Sequence, residues 1–310
     1  MNSQSQVNRR SFLGSMCRLG LAAMAATQGG TLIGAEAGAV KPKAPWRMGC
    51  YTRVFDQFDY PVALDGIAEA GFKYVGFMTT RSSHGPMIKP EATPEQVQAL
   101  HEQARRRGLS VLSVYGEFSV SESHEAGIRE LKELIDHTAL CQCPNLLLGG
   151  TTDESLYESY YRAVRACCEY AATQGIGLTI KPHGGQNATG PQCRKAIERV
   201  GQANFRLWYD PGNILYYSDG KQDPVADAAT VNGLVVGMSV KDFLPPKEVL
   251  VNIGEGKVDF PAVLARLKKG GFTHGPLIVE CVRRGSLESV KAAAKQARVF
   301  LEKLTGQQAG

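Results

Sequence analysis

The chain has 310 residues, 43% apolar and 21% charged, with a formal net charge of +5. This is ordinary globular composition and excludes a disordered or fibrous chain. Removing Arg9, Arg10, Arg18 and Glu36 from the 35 basic and 30 acidic residues leaves 32 and 29, a net +3, so the charge balance gives no ground for a nucleic-acid partner.

The N-terminus reads as a targeting segment. Asn8-Arg9-Arg10-Ser11-Phe12-Leu13-Gly14 resembles a twin-arginine export signal. The apolar stretch from Leu19 to Ala26 follows Arg18 and falls short of the roughly 20 apolar residues a spanning helix needs. Ala35-Glu36-Ala37 and Ala37-Gly38-Ala39 offer small-residue cleavage sites. Residues 1–40 are therefore read as export signal and linker, and 41–310 as one folded domain of an exported, periplasmic protein. Of eight cysteines, Cys17 falls in the signal and seven remain, so they cannot all pair with one another. No CxxC exists and Cys141-Gln142-Cys143 is weak as a metal or disulfide motif, so buried free thiols are expected.

From Trp46 onward one pattern recurs: an amphipathic helix, a glycine, then four to six apolar residues. The glycine suits the left-handed position that ends a helix. A first strand, Met48–Tyr51, is followed by a helix over Val62–Ala70 and a strand over Tyr74–Phe77. Next come a helix over Pro94–Arg107 and a strand over Leu109–Tyr115. Arg105-Arg106-Arg107 falls in that helix's last turn, where cations suit the dipole and a solvated face is expected. The pattern continues with helix Glu125–Leu140 and strand Leu146–Leu148, then helix Ser155–Gln174 and strand Gly177–Ile180. Helix Gln192–Val200 leads to strand Phe205–Tyr209, and helix Asp223–Val231 to strand Leu234–Val240. Helix Phe260–Lys269, with Asp259 as its cap, precedes strand Leu277–Cys281, and a last helix covers Leu287–Leu304. Eight short apolar strands alternating with eight helices over about 270 residues predict an α/β fold, a single-domain (β/α)8 TIM barrel. A doubly wound dinucleotide fold is disfavoured because no Gly-x-Gly-x-x-Gly follows the first strand.

In such a barrel the reacting groups collect at the C-terminal strand ends. Those ends carry Tyr51 with Arg53, Thr79, Glu117, Gly149-Gly150, Lys181 with His183, Asp210, Lys241 with Asp242, and Glu280. Side chains alternate along a strand, so Trp208 shares a face with Asp210, Ser239 with Lys241, and Ile278 with Glu280. Asp210 and Glu280 should converge near His183. Two carboxylates and an imidazole suit Mg²⁺, Mn²⁺, Zn²⁺ or Co²⁺. Each also has a plainer reading: Asp210-Pro211-Gly212-Asn213 is a well-formed turn, and Lys241-Asp242 a solvated strand end.

Lys181-Pro182-His183-Gly184-Gly185, Tyr209-Asp210-Pro211-Gly212-Asn213, Val240-Lys241-Asp242, Gly254-Glu255-Gly256-Lys257-Val258-Asp259-Phe260 and Val279-Glu280 together resemble the xylose-isomerase-like barrels, often described as sugar phosphate isomerases/epimerases. The resemblance runs from Met48 to about Leu304. It implies one divalent metal held by Glu, Asp, His and Glu from strands five to eight, with two glutamates moving protons on either face of a ketose. Asp210 matches the aspartate and Glu280 the last glutamate. Lys181 stands in place of the first glutamate and Ser239 in place of the histidine. The expected function is a sugar or keto-sugar isomerase or epimerase acting by proton abstraction beside a carbonyl. Its expected catalytic residues are Glu280, Lys181, His183 and Lys241, and its metal ligands Asp210, Glu280 and His183. Glu117, Asn213, Ser239, Asp242 and Arg283 are the expected substrate contacts. A lyase or hydratase on keto-glycosides, or a non-catalytic exported sugar-binding barrel, are the alternatives. An endonuclease on abasic DNA fits less well, because Asn213 stands where such proteins carry a histidine. The expected partner is a small sugar, with no nucleic acid and no stable membrane span, and a homo-oligomer remains open.

Overall fold

Eight parallel strands pair in sequence order and close on themselves. The computed structural model of the chain describes residues 45–81 and 85–308. The twin-arginine segment and the boundary near residue 40 lie outside the described residues. The strands are β1 (Trp46–Tyr51), β2 (Tyr74–Phe77), β3 (Ser110–Gly116), β4 (Asn145–Leu148), β5 (Gly177–Ile180), β6 (Phe205–Tyr209), β7 (Val235–Val240) and β8 (Gly275–Val279), with β1 hydrogen-bonded to both β2 and β8. The helices are α1 (Tyr60–Glu69), α2 (Pro94–Arg106), α3 (His124–Leu140), α4 (Tyr157–Thr173), α5 (Gly190–Val200), α6 (Pro211–Tyr217), α7 (Pro224–Ala229), α8 (Phe260–Lys269) and α9 (Leu287–Thr305). The fold is a single-domain (β/α)8 TIM barrel. Among the described residues no helix is long and apolar enough to cross a membrane.

The local rules that place the elements are visible one by one. In α5, Cys193, Ala196, Ile197 and Val200 fall at i, i+3, i+4 and i+7 and are all buried against the barrel. Thr189 and Gln192 form a reciprocal capping box at its start, and Gly201 ends it in the left-handed region. Asp259 accepts a hydrogen bond from the Ala262 N–H, the cap expected for α8. Arg105 and Arg106 both pair with Glu102 and Arg107 pairs with Asp65, the solvated face expected for the arginine run.

Two apolar layers result. The larger lies between strands and helices. A smaller one, with Tyr51, Leu112, Leu147, Trp208 and Ile278, fills the lumen from the inward strand faces. Trp208 is fully buried there, and a Cβ on Gly237 of the neighbouring strand would come within 2.4 Å of its ring, so only glycine leaves space for the indole. All seven described cysteines are buried and unpaired, as expected.

Two expectations need correction. Asp210-Pro211-Gly212-Asn213 is the start of a helix, not an isolated turn: Asp210 caps α6 and Pro211 occupies its first turn, the same start signal that Asp259 and Pro261 give α8. The last strand ends at Val279, where pairing with Cys50 of β1 stops, so Cys281 lies beyond it although the apolar run continues.

Candidate functional site

Four strands deliver charge to one end of the lumen. Lys181, Asp210, Lys241 and Glu280 each follow the last residue of β5, β6, β7 and β8, and all four side chains are buried. Lys181 Nζ donates to Glu280 Oε1 at 3.0 Å and Oε2 at 2.8 Å, and lies 3.2 Å from Asp210 Oδ2. Lys241 Nζ donates to Glu280 Oε1 at 2.9 Å and lies 2.9 Å from the same Asp210 oxygen. The contacts at Asp210 Oδ2 are ionic, without well-directed hydrogen bonds. Asp210 Oδ1 accepts the Asn213 N–H that begins α6. The result is a closed ring of alternating charge, each carboxylate touching both ammoniums.

The electrostatics follow from that ring. Burial alone would raise the Glu280 carboxyl, but Lys181, Lys241 and Arg53 outweigh it and hold the group well below the usual carboxylate range. Burial would lower Lys241, and Asp210 and Glu280 reverse that, pushing its ammonium upward. His183 moves the other way. Burial, reinforced by the Lys181 and Lys241 charges, lowers it to about 3, so the imidazole is neutral at physiological pH.

Above the ring lies a cavity of about 290 Å³, small-molecule in scale. Lys181, Lys241 and Glu280 form its floor, with Arg53, His183, Asn213 and Glu117 around it and Tyr115, Tyr216 and Tyr217 as aromatic walls. The His183 ring lies 5.9 Å from that of Tyr217 and 6.3 Å from that of Tyr115. Gly149 makes this arrangement possible: a Cβ there would stand 2.9 Å from the Tyr115 hydroxyl and 3.0 Å from His183 Nδ1. Tyr115 donates its hydroxyl to Glu117 Oε1 at 2.7 Å, and Glu117 is exposed.

The structure therefore brings together Lys181, His183, Asp210, Asn213, Lys241, Glu280 and Glu117. Ser239 is fully buried one inward step below Lys241, its hydroxyl unpartnered, and it does not line the cavity. Asp242 is turned away from the cavity. Its carboxylate accepts the N–H groups of Phe243, Gly254, Gly256 and Val258 at 2.9 to 3.1 Å. That is the work of the Gly254-Glu255-Gly256 motif: it wraps backbone donors around an anion and anchors the 243–258 loop, whose Val249 reaches the cavity. Arg283 is 63% exposed, pairs with Glu255 of that loop and is absent from the cavity lining, so it is not the pocket's guanidinium. Arg53 takes that place, from the short 3₁₀ turn after β1, donating to Cys281 Sγ at 3.5 Å. Tyr115, Tyr216 and Tyr217 were not expected. Tyr115 shares the inward parity of Ser113, and the tyrosine pair follows once Asp210-Pro211 is read as a helix start.

The residues present do not fit the expected divalent metal. The oxygens of Asp210 and Glu280 are all committed to ammonium groups or a helix N–H, and His183 adds no anionic donor. Among the described residues no cluster of three or more His, Cys, Asp or Glu side chains is arranged to hold an ion. A dication 4 Å from an ammonium meets a repulsion of about 8 kcal/mol at an effective dielectric of about 20, and here there are two ammoniums. The set Asp210, Glu280 and His183 thus forms as a neighbourhood but not as a coordination sphere.

A sequence profile described as xylose isomerase-like TIM barrel matches residues 64–304. The chain is 28% identical over 154 residues to a probable L-ribulose-5-phosphate 3-epimerase of Mycoplasma pneumoniae; the match spans 49% of this chain and 48% of that protein, about half of each. Among solved structures it is similar to a xylose isomerase domain protein from Planctomyces limnophilus, with TM-score 0.62 and 22% identity over 84% of this chain and 97% of that one. It is also similar to a D-allulose 3-epimerase from Methylomonas sp. in complex with D-allulose, with TM-score 0.65 and 16% identity over 84% and 98%. At such identities the structures share the fold.

Proposed function

The chain belongs to the xylose isomerase-like TIM-barrel family, and we propose that it is a sugar or keto-sugar isomerase or epimerase that removes a proton next to a carbonyl. The observation that carries this reading is the positive floor of the cavity. Arg53, Lys181 and Lys241 stand against Asp210 and Glu280 on the floor, three positive charges against two negative, an excess of one positive charge there, while the Glu117 carboxylate stands apart at the cavity's side. A monoanionic enediolate is the complement of that excess. The curated relative named for a ketose-phosphate epimerase and the structure holding D-allulose support a ketose as the substrate class.

The chemistry follows from the chain's own side chains. When the C–H bond beside the carbonyl breaks, its electron pair moves toward the carbonyl oxygen. Ammonium N–H groups fixed on the floor meet that charge without reorganising, an effect worth about 2.7–4 kcal/mol per donor in comparable sites. The expected base, Glu280, is poorly suited to take the proton, because two ammoniums hold it ionised. Glu117 is the pocket carboxylate without a cation contact of that kind, and neutral His183 faces the same space. Return of the proton to the same carbon from the other side gives epimerisation, and to the neighbouring carbon gives isomerisation. A divalent metal remains part of the family expectation, but no step above requires one. The twin-arginine motif supports export to the periplasm, which we include in the proposal.

The test is exchange of the substrate's α-proton. Ketoses incubated with the protein in D₂O and followed by NMR should lose that signal, and Lys181→Ala should slow the loss. Saturable ketose binding without exchange on any ketose, unchanged in Lys181→Ala, would replace the enzyme with a sugar-binding barrel.

A further inference from the structure

We propose that Lys181 and Lys241 together are a built-in replacement for a divalent cation, so that this pocket binds an oxyanionic ligand without any metal. The inference rests on the reading above only for calling the ligand an enediolate; its cation half stands without it.

The carboxylate oxygens are already engaged. Glu280 Oε1 contacts both ammoniums and Oε2 contacts Lys181. Asp210 Oδ2 contacts both, and Oδ1 holds the Asn213 N–H. Each oxygen of the pair already touches an ammonium or the Asn213 N–H, so an ion at a metal–oxygen distance of 2.0–2.6 Å would stand in contact range of an ammonium unless that ammonium left. Nor is charge left to attract that ion: two carboxylates offer two negative charges and the lysines cancel both. Two unit charges therefore stand where one double charge would stand, held by the same two anions.

The ammoniums also keep contact with the cavity. Both lysines line it, and Lys241 Nζ has two carboxylate contacts for its three N–H bonds. The remaining donor is available to a ligand oxygen. Arg53 and the Asn213 side chain border the same space, the latter fixed by donating to the Pro182 carbonyl. A planar anion with two adjacent oxygens, the shape of a cis-enediolate, is the ligand class such a floor fits.

The experiment uses full-length protein dialysed against EDTA, titrated calorimetrically with Mn²⁺ alone and with oxalate as the planar two-oxygen anion. The wild type should take up no Mn²⁺ at concentrations up to millimolar and should bind oxalate with EDTA still present. Lys181→Met should lose oxalate binding. The double variant Lys181→Glu, Lys241→Met, which turns the floor into three carboxylates, should gain Mn²⁺ affinity at least tenfold over the wild-type limit. Adding Asp210→Asn to it should remove the gain. Stoichiometric Mn²⁺ uptake by the wild type that Asp210→Asn abolishes would overturn the proposal, whether or not the double variant folds. So would oxalate binding that requires Mn²⁺, or a folded double variant with no gain. Failure of every ketose to exchange, with metal-free oxalate binding intact, would instead count against the isomerase reading alone.

Discussion

Replacing Lys181 by methionine removes three of the five nitrogen–oxygen contacts in the charged ring, the two to Glu280 and one to Asp210. What remains is Lys241 between two buried carboxylates, an uncompensated negative charge out of water. Stranding one partner of a buried ion pair costs about 3–5 kcal/mol. A domain of this size has roughly 5–15 kcal/mol of stability, so the single change consumes a large share of it. Lys181→Met combined with Glu280→Gln restores neutrality, because Lys241 and Asp210 are left as a pair. The double variant should therefore cost clearly less than the two single variants summed, with a coupling of up to about 3 kcal/mol. Urea unfolding measures all three, read as midpoint shifts at constant slope. Acid adds a check. Losing Lys181 lets Glu280 take up a proton more readily, which relieves the stranded charge, so the gap from wild type should narrow as pH falls. Additive costs, or a Lys181→Met penalty under about 1 kcal/mol, would show that the ring is not the coupled unit described here.

The wild-type carboxyl of Glu280 is held well below its ordinary 4.5 by Lys181, Lys241 and Arg53 in spite of burial. A depressed folded value contributes stability that is complete above pH 4.5 and is lost as pH falls below it. Glu280→Gln should accordingly flatten the acid limb of a stability–pH curve, and parallel limbs would contradict the assignment. Glu117→Gln should slow α-proton exchange by about 10²–10⁴-fold while oxalate affinity stays within a few-fold of wild type. An exchange rate untouched by that change would move the base to His183. Asp242→Asn puts an amide against four backbone N–H groups and forfeits charge-assisted bonds, costing about 1.5–3 kcal/mol. Hydrogen exchange should speed up at Gly254, Gly256 and Val258, and protection equal to wild type would refute the anchoring role.

The barrel was legible because most of its strands are short apolar runs with sharp edges. β2, β5 and β6 begin and end where the runs do. Period-two alternation also put Lys181, Asp210, Lys241 and Glu280 on inward faces. It could have excluded Asp242 by the same logic, since a residue adjacent to an inward Lys241 points outward. What alternation cannot supply is the pairing across the lumen. Lys181 and Glu280 are 99 residues apart and meet only because the sheet closes, so their mutual neutralisation, and with it the loss of a metal site, follows from closure rather than from spacing. Arg53 was visible as a strand-end residue, whereas its distance from Glu280 was not. Tyr216 and Tyr217 were hidden behind a seven-residue helix whose start doubles as a turn motif.

The remaining question is why charge is buried here at all. One inward step below the ring the chain packs Trp208 and Ile278, and around them Leu147 and Leu112, so apolar filling of the lumen is within this sequence's means. Replacing a buried ion pair by well-packed apolar side chains is often neutral or stabilising by about 1–4 kcal/mol. A ring kept only to hold the barrel shut would be a poor use of four positions. Its location argues the same way: the charges occupy the layer that meets the cavity, and two of the four are cations that border it. Stability alone would favour leucine at Lys181 and Lys241, whereas recognition of an oxyanion requires donors that are fixed before the ligand arrives. The carboxylates then have a defined task, which is to hold two ammoniums charged, close together and pointed at the pocket.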